Sequence, residues 1–131
     1  MAEKILIVED DPDLRRALTI RLKANGYDVV TAEDGVFAVS VARNEHPDLV
    51  LLDIGLPAGD GLAVLERYAK LSDLRTIPVV VLTGRDPTVT EPAVRAHHVA
   101  AFLRKPVDND VLLDTIRDAL ENKYNAYSPG E

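Results

Sequence analysis

The sequence predicts a doubly wound α/β domain, a five-stranded parallel sheet with helices on both faces. Three observations predict it. Apolar runs of four or five residues alternate with longer amphipathic segments, which is the signature of βαβ units. Three of the runs, Ile5-Leu6-Ile7-Val8, Leu49-Val50-Leu51-Leu52 and Val79-Val80-Val81-Leu82, are almost unbroken Val, Ile and Leu, as expected of strands covered on both faces. The chain has 131 residues, 47% of them apolar and spread along its whole length, enough for one domain with a full core.

The strands are predicted at 4–8, 27–31, 49–52, 78–82 and 100–103. Between them, helices are marked by their caps. Asp11 before Pro12 reads as an N-cap with proline at the first helical position. That helix turns Leu14, Leu18 and Leu22 inward and stops at Asn25-Gly26. Asp34 caps a second helix that ends near His46-Pro47. Asp60 caps a third, with Leu62, Leu65 and Ala69 inward. A fourth starts among Pro87, Thr90 and Pro92, as late as position 91. The fifth starts near Asp108 and carries Leu112, Ile116, Ala119 and Leu120 on one stripe. Residues 1–124 are expected to form the domain and 125–131, with Ser128-Pro129-Gly130, a tail.

Composition narrows the function. With no Cys, a disulfide scaffold and a thiolate metal site or nucleophile are excluded. Asp and Glu number 22 against 15 Lys and Arg, a net charge of −7, which speaks against direct nucleic-acid binding. Met1-Ala2-Glu3-Lys4 lacks a signal-peptide pattern, and no apolar run approaches the roughly 20 residues needed to span a bilayer. A soluble, cytoplasmic protein with no membrane partner is expected.

Polar residues stand at the ends of four predicted strands: Glu9-Asp10, Asp53, Thr83 and Lys105. The carboxyl ends of the strands of an open parallel sheet face one crevice, where ligands bind. Three carboxylates, a hydroxyl and an ammonium are therefore expected to converge there. Crowded carboxylates repel unless a cation neutralises them, and Mg2+, a hard ion that takes oxygen ligands, is the natural one. Asp53 is followed by a Gly- and Pro-rich loop that lets the backbone approach a ligand and leaves the Gly55 carbonyl free to coordinate. Lys105 precedes Pro106, which favours an extended conformation and permits a cis peptide. Taken singly, each residue has an ordinary reading: a cap for Asp53, a turn for Thr83, a solvated Lys105, a core Phe102. Asp11 is best used as the N-cap, and Asp13 as a charge complementing the helix dipole. His97-His98 and His46 read as structural or surface residues.

The combination Ile5-Leu6-Ile7-Val8-Glu9-Asp10-Asp11-Pro12, Leu51-Leu52-Asp53-Ile54-Gly55-Leu56-Pro57-Ala58-Gly59-Asp60-Gly61, Val81-Leu82-Thr83-Gly84 and Phe102-Leu103-Arg104-Lys105-Pro106 resembles the receiver domain of two-component response regulators, of the CheY-like type, over residues 3 to 123. The resemblance implies strand order 2-1-3-4-5 and a signalling switch that catalyses only its own phosphorylation and dephosphorylation. It implies Asp53 as phosphoacceptor with Lys105 and Thr83 as the other catalytic residues, Mg2+ held by Glu9, Asp10, Asp53 and the Gly55 carbonyl, and Thr83 with Phe102 as the switch. The implied donor is a sensor histidine kinase or a histidine phosphotransfer protein. A downstream protein or output domain would read the state, through the face built from the fourth helix, last strand and fifth helix, and a homodimer is one assembly open to it. Glu9 stands where Asp is commoner, which would move the carboxylate outward. Leu56 and Gly59 stand where methionines are frequent, and His98 where a glycine is usual.

Three alternatives compete with the switch. A small metal-dependent phosphohydrolase with Asp53 as nucleophile would want an Asp-x-Asp pair, but position 55 is Gly and no cap domain is present. A phosphate-independent pseudo-receiver is disfavoured because all five key side-chain types are in place. A flavodoxin-like cofactor binder would need a phosphate loop where Glu9-Asp10-Asp11 stand.

Overall fold

In the computed structural model, residues 2–55, 60–84 and 99–125 are described. Five strands, β1 (Lys4–Val8), β2 (Asp28–Ala32), β3 (Leu49–Asp53), β4 (Val79–Thr83) and β5 (Ala101–Arg104), form one parallel sheet in the order β2-β1-β3-β4-β5. Strand edges lie within one residue of the predicted ones. The order makes β1, β3 and β4 interior, and every residue of β3 and β4 is buried, which is why these strands tolerate no polar residue before their last position.

Four helices flank the sheet among the described residues: α1 (Pro12–Ala24), α2 (Gly35–Glu45), α3 (Asp60–Lys70) and α4 (Asn109–Asn125). The last corresponds to the fifth predicted helix; the segment assigned to the fourth, with Pro87, Thr90, Pro92, His97 and His98, lies outside the described residues, as do Leu56, Gly59 and the tail beyond Asn125. Asp11 caps α1, accepting from the N–H groups of Asp13 at 2.9 Å and Leu14 at 3.4 Å. Asp34 does the same for α2 through Val36 and Phe37, and Asp108 for α4 through Asp110 and Val111. Each cap satisfies two N–H groups that have no partner within the helix. The chain leaves α1 at Gly26, whose φ of +89° is open to glycine and strained for other residues.

Alternation along the strands divides the core into two layers. On one face Ile5, Ile7, Leu49, Leu51, Val80 and Leu82 pack with Leu18 and Leu22 of α1 and with Leu112, Ile116, Ala119 and Leu120 of α4. On the other, Leu6, Val8, Val50, Leu52, Val79 and Val81 pack with Ala38 and Ala42 of α2 and Val64, Leu65 and Tyr68 of α3. The inward stripe of α3 differs from the predicted one. Ala69 is exposed, Leu62 is half-buried, and Val64, Leu65 and Tyr68 are buried. The helix is rotated so that Tyr68 reaches the core and donates its hydroxyl to the Ala38 carbonyl at 2.7 Å. Among the described residues no helix is long and apolar enough to cross a membrane.

Candidate functional site

The two-residue period of the strands decides which side chains meet at the carboxyl edge. Glu9 continues the alternation of Ile5 and Ile7, Asp53 that of Leu49 and Leu51, and Lys105 that of Ala101 and Leu103, all on the face covered by α1 and α4. Where the strands end, each side chain emerges at the same end of the same face. Lys105 Nζ donates to Glu9 Oε1 at 2.8 Å and lies 3.3 Å from Asp53 Oδ2. The Lys105 backbone N–H donates to the Thr83 carbonyl at 2.7 Å, and the Lys105–Pro106 peptide is cis.

Glu9 and Asp53 are buried, at 1% and 5% exposure, whereas Asp10 is exposed. Both acids of the pair were expected to reach the crevice; they do so from opposite environments. The extra methylene of Glu9 does not carry its carboxylate outward. The side chain folds back, so that Oε2 accepts the Asp11 N–H at 3.2 Å while Oε1 takes the lysine. Asp53 is oriented by its own loop, with Oδ1 accepting the Gly55 N–H at 2.9 Å. Thr83 and Phe102 belong to the other face. Thr83 is fully buried and follows Val79 and Val81; Phe102 is half-buried against that same layer on the edge strand β5.

The electrostatics follow from burial. Desolvation raises the Glu9 carboxyl to about 7; Lys105 opposes this, and the neighbouring Asp53 adds to it. Lys105 itself is lowered by burial, but its bond to Glu9 and the charges of Asp53 and Glu9 outweigh that, so the net direction is up and the ammonium stays charged. With Glu9 ionised, three carboxylates, two of them buried, stand against one ammonium and leave an excess of negative charge. The donor set suits a hard divalent cation: Glu9, Asp10 and Asp53 each offer an oxygen, all within 4.8 Å of one another. Ligands held at about 2.0–2.1 Å around octahedral Mg2+ sit roughly 3–4 Å apart, so small side-chain rotations would complete the approach.

Two residues that shape the site were not singled out from the sequence. Gly61, in the first turn of α3, admits no side chain, because a Cβ there would lie 2.7 Å from the Ile54 Cα and 2.8 Å from its carbonyl oxygen. Its absence lets α3 sit directly on the backbone that follows Asp53. Arg15 donates from Nη1 to the Glu9 carbonyl at 2.8 Å. Neither carried a sequence signal of its own: Gly61 reads as loop glycine, and Arg15 as one of several helix cations.

Comparison with known proteins points one way. The family profile described as response regulator receiver domain matches residues 5–117. Protein PilH of Pseudomonas aeruginosa is 36% identical over 117 residues, covering 89% of this chain and 97% of PilH. The transcriptional regulatory protein GlrR of Escherichia coli K12 is 38% identical over 122 residues, 93% of this chain. The chain spans about a quarter of that regulator's length, 27%. A solved receiver domain protein from Methanospirillum hungatei, described as CheY-like, superposes with a TM-score of 0.89 at 27% identity, covering 96% of this chain and 99% of that one.

Proposed function

Since the chain belongs to the response regulator receiver family of two-component signalling, we propose that Asp53 is its phosphoacceptor, charged by a phosphohistidine on a sensor kinase or histidine phosphotransfer protein. The observation that carries this reading is the meeting of Lys105 Nζ with Asp53 Oδ2 at 3.3 Å, beside an acid cluster whose oxygens lie within 4.8 Å.

A carboxylate oxygen of Asp53 attacks phosphorus as the P–N bond breaks. The bonding pair goes to the imidazole, which departs neutral with a proton on its other ring nitrogen, and an acyl phosphate remains. Charge in such a transfer spreads over the equatorial phosphoryl oxygens, so positioning and neutralisation do most of the work. Asp53 is held by the Gly55 N–H, which presents one orientation of the carboxylate. Lys105 gives up part of its contact with Glu9 and Asp53 to meet the arriving oxygens. Thr83, one strand away, donates its hydroxyl to another. Glu9, Asp10, Asp53 and the Gly55 carbonyl would hold Mg2+, which supplies positive charge to the phosphoryl group. No separate substrate is turned over: the chemistry ends on the protein's own residue.

Thr83 and Phe102 share the sheet face opposite Glu9 and Lys105, with Phe102 opposite Val81 in the β4–β5 register. A hydroxyl drawn toward the phosphoryl group vacates space on that face, and the Phe102 ring turns into it. The edge formed by β5 and α4 then changes its partner preference. The output is a downstream protein or an output domain.

Incubation with acetyl phosphate and Mg2+ followed by intact-mass measurement tests the reading. One added phosphoryl group is expected on the parent and none on Asp53→Ala. A gain that persists in Asp53→Ala would refute it.

A further inference from the structure

Arg15 is a residue of α1 whose side chain serves the end of β1. Its backbone N–H donates to the Asp11 carbonyl at 2.9 Å in the first turn of α1. Side chains on a helix lean toward its N-terminus, so this one runs back over the β1–α1 turn. There Nη1 donates to the Glu9 carbonyl at 2.8 Å, and Nη2 lies 3.7 Å from Glu33 Oε1. The Arg15 side chain is 19% exposed and that of Glu33 74%. An ion pair with so exposed a partner contributes little by itself; the charge-assisted bond to the carbonyl is the stronger contact.

The identity of the acceptor gives that bond its meaning. The Glu9 carbonyl belongs to the peptide unit that joins Glu9 to Asp10, and the unit is planar, with both Cα atoms in its plane. Holding the oxygen fixes the rotation of the plane and so the directions in which both acidic side chains leave the backbone. On its other side, the Glu9 N–H donates to the Ala32 carbonyl at 3.1 Å. Glu9 is also packed and bonded through its carboxylate. Asp10 is exposed, so core packing does not set its direction; the peptide plane before it is one restraint, and the Asp11 N–H held by Glu9 Oε2 after it is the other.

We propose that Arg15 is a positioning residue for the divalent-cation site, setting the shared Glu9–Asp10 peptide plane so that both carboxylates face Asp53. The proposal rests on the metal reading given above. The guanidinium holds the carbonyl from a rigid planar fork, whereas a lysine ammonium at the same position is a compact, strongly hydrated charge on a flexible stem and fixes the direction of the bond less well.

Calorimetric titration of Mg2+ into the unphosphorylated parent, Arg15→Met and Arg15→Lys tests it, with urea unfolding in EDTA alongside. Arg15→Met is expected to weaken Mg2+ binding about tenfold or more, the usual effect of removing a group that orients a metal ligand. Arg15→Lys should recover only part of it. Variants that are fully folded before titration owe none of that change to lost stability. An Arg15→Met affinity within twofold of the parent, or complete recovery in Arg15→Lys, would overturn the proposal. If Arg15→Met does not fold, Arg15→Lys decides by the same criterion: unchanged affinity ends the idea. Absence of Mg2+ binding by the parent itself would instead remove the metal reading and this proposal with it.

Discussion

Without metal, the protein should become less stable as pH rises through the range in which Glu9 titrates. The Glu9 carboxyl moves from 4.5 to about 7 on folding, with burial as the main cause. At roughly 1.4 kcal/mol per pKa unit, that displacement is on the order of 3 kcal/mol. A side chain only 2% exposed leaves little solvent to screen it. Between the two values the folded state holds a proton that the unfolded chain has released, so stability falls as pH rises. The contribution is at its most favourable below 4.5 and is lost by about 7. Mg2+ should reverse the trend, because it binds the ionised carboxylates and stabilises only the folded chain. The assay is urea unfolding followed by circular dichroism from pH 5 to 8, in EDTA and in saturating Mg2+, on the parent and Glu9→Gln. The amide keeps a partner for Lys105 but does not titrate, so it adds a constant offset. The parent-minus-variant difference should fall across the range in EDTA and flatten or rise in Mg2+. A flat or rising difference in EDTA would show that Lys105, rather than desolvation, governs Glu9.

Asp10→Ala should weaken Mg2+ binding at least as strongly as Arg15→Met, about tenfold or more, while leaving metal-free stability within about 0.5 kcal/mol, because Asp10 is exposed; calorimetry and urea unfolding report the two. Beryllium fluoride with Mg2+, a mimic of the phosphorylated state, should shift the Phe102 ring signals in NMR spectra, and unchanged signals would exclude the aromatic switch. Tyr68→Phe should cost about 1 kcal/mol by removing the buried bond to the Ala38 carbonyl. Burial also raises the Tyr68 phenol above its usual range, so above pH 10 the parent should lose stability that Tyr68→Phe keeps.

Much of this architecture was legible in the residue order alone. Unbroken apolar runs identify strands with two covered faces, and aspartates before amphipathic segments identify helix starts, because both depend on interactions a few residues long. The convergence of Glu9, Asp53 and Lys105 at one sheet edge was equally readable, since every parallel strand ends on the same side; that Thr83 ends its strand on the other face was not. The α3 stripe was not: Val64 and Tyr68, rather than Ala69, were selected by the space left between α2 and the sheet. Likewise, two adjacent acids look equivalent on paper, yet Glu9 is buried and paired with Lys105 while Asp10 faces solvent. The hold of Arg15 on the Glu9 carbonyl and the seat of Gly61 on Ile54 also depend on how elements are placed against one another. Spacing along the chain specifies which groups reach the edge; the meeting of separate strands and helices sets the distance, burial and protonation that give those groups their chemistry.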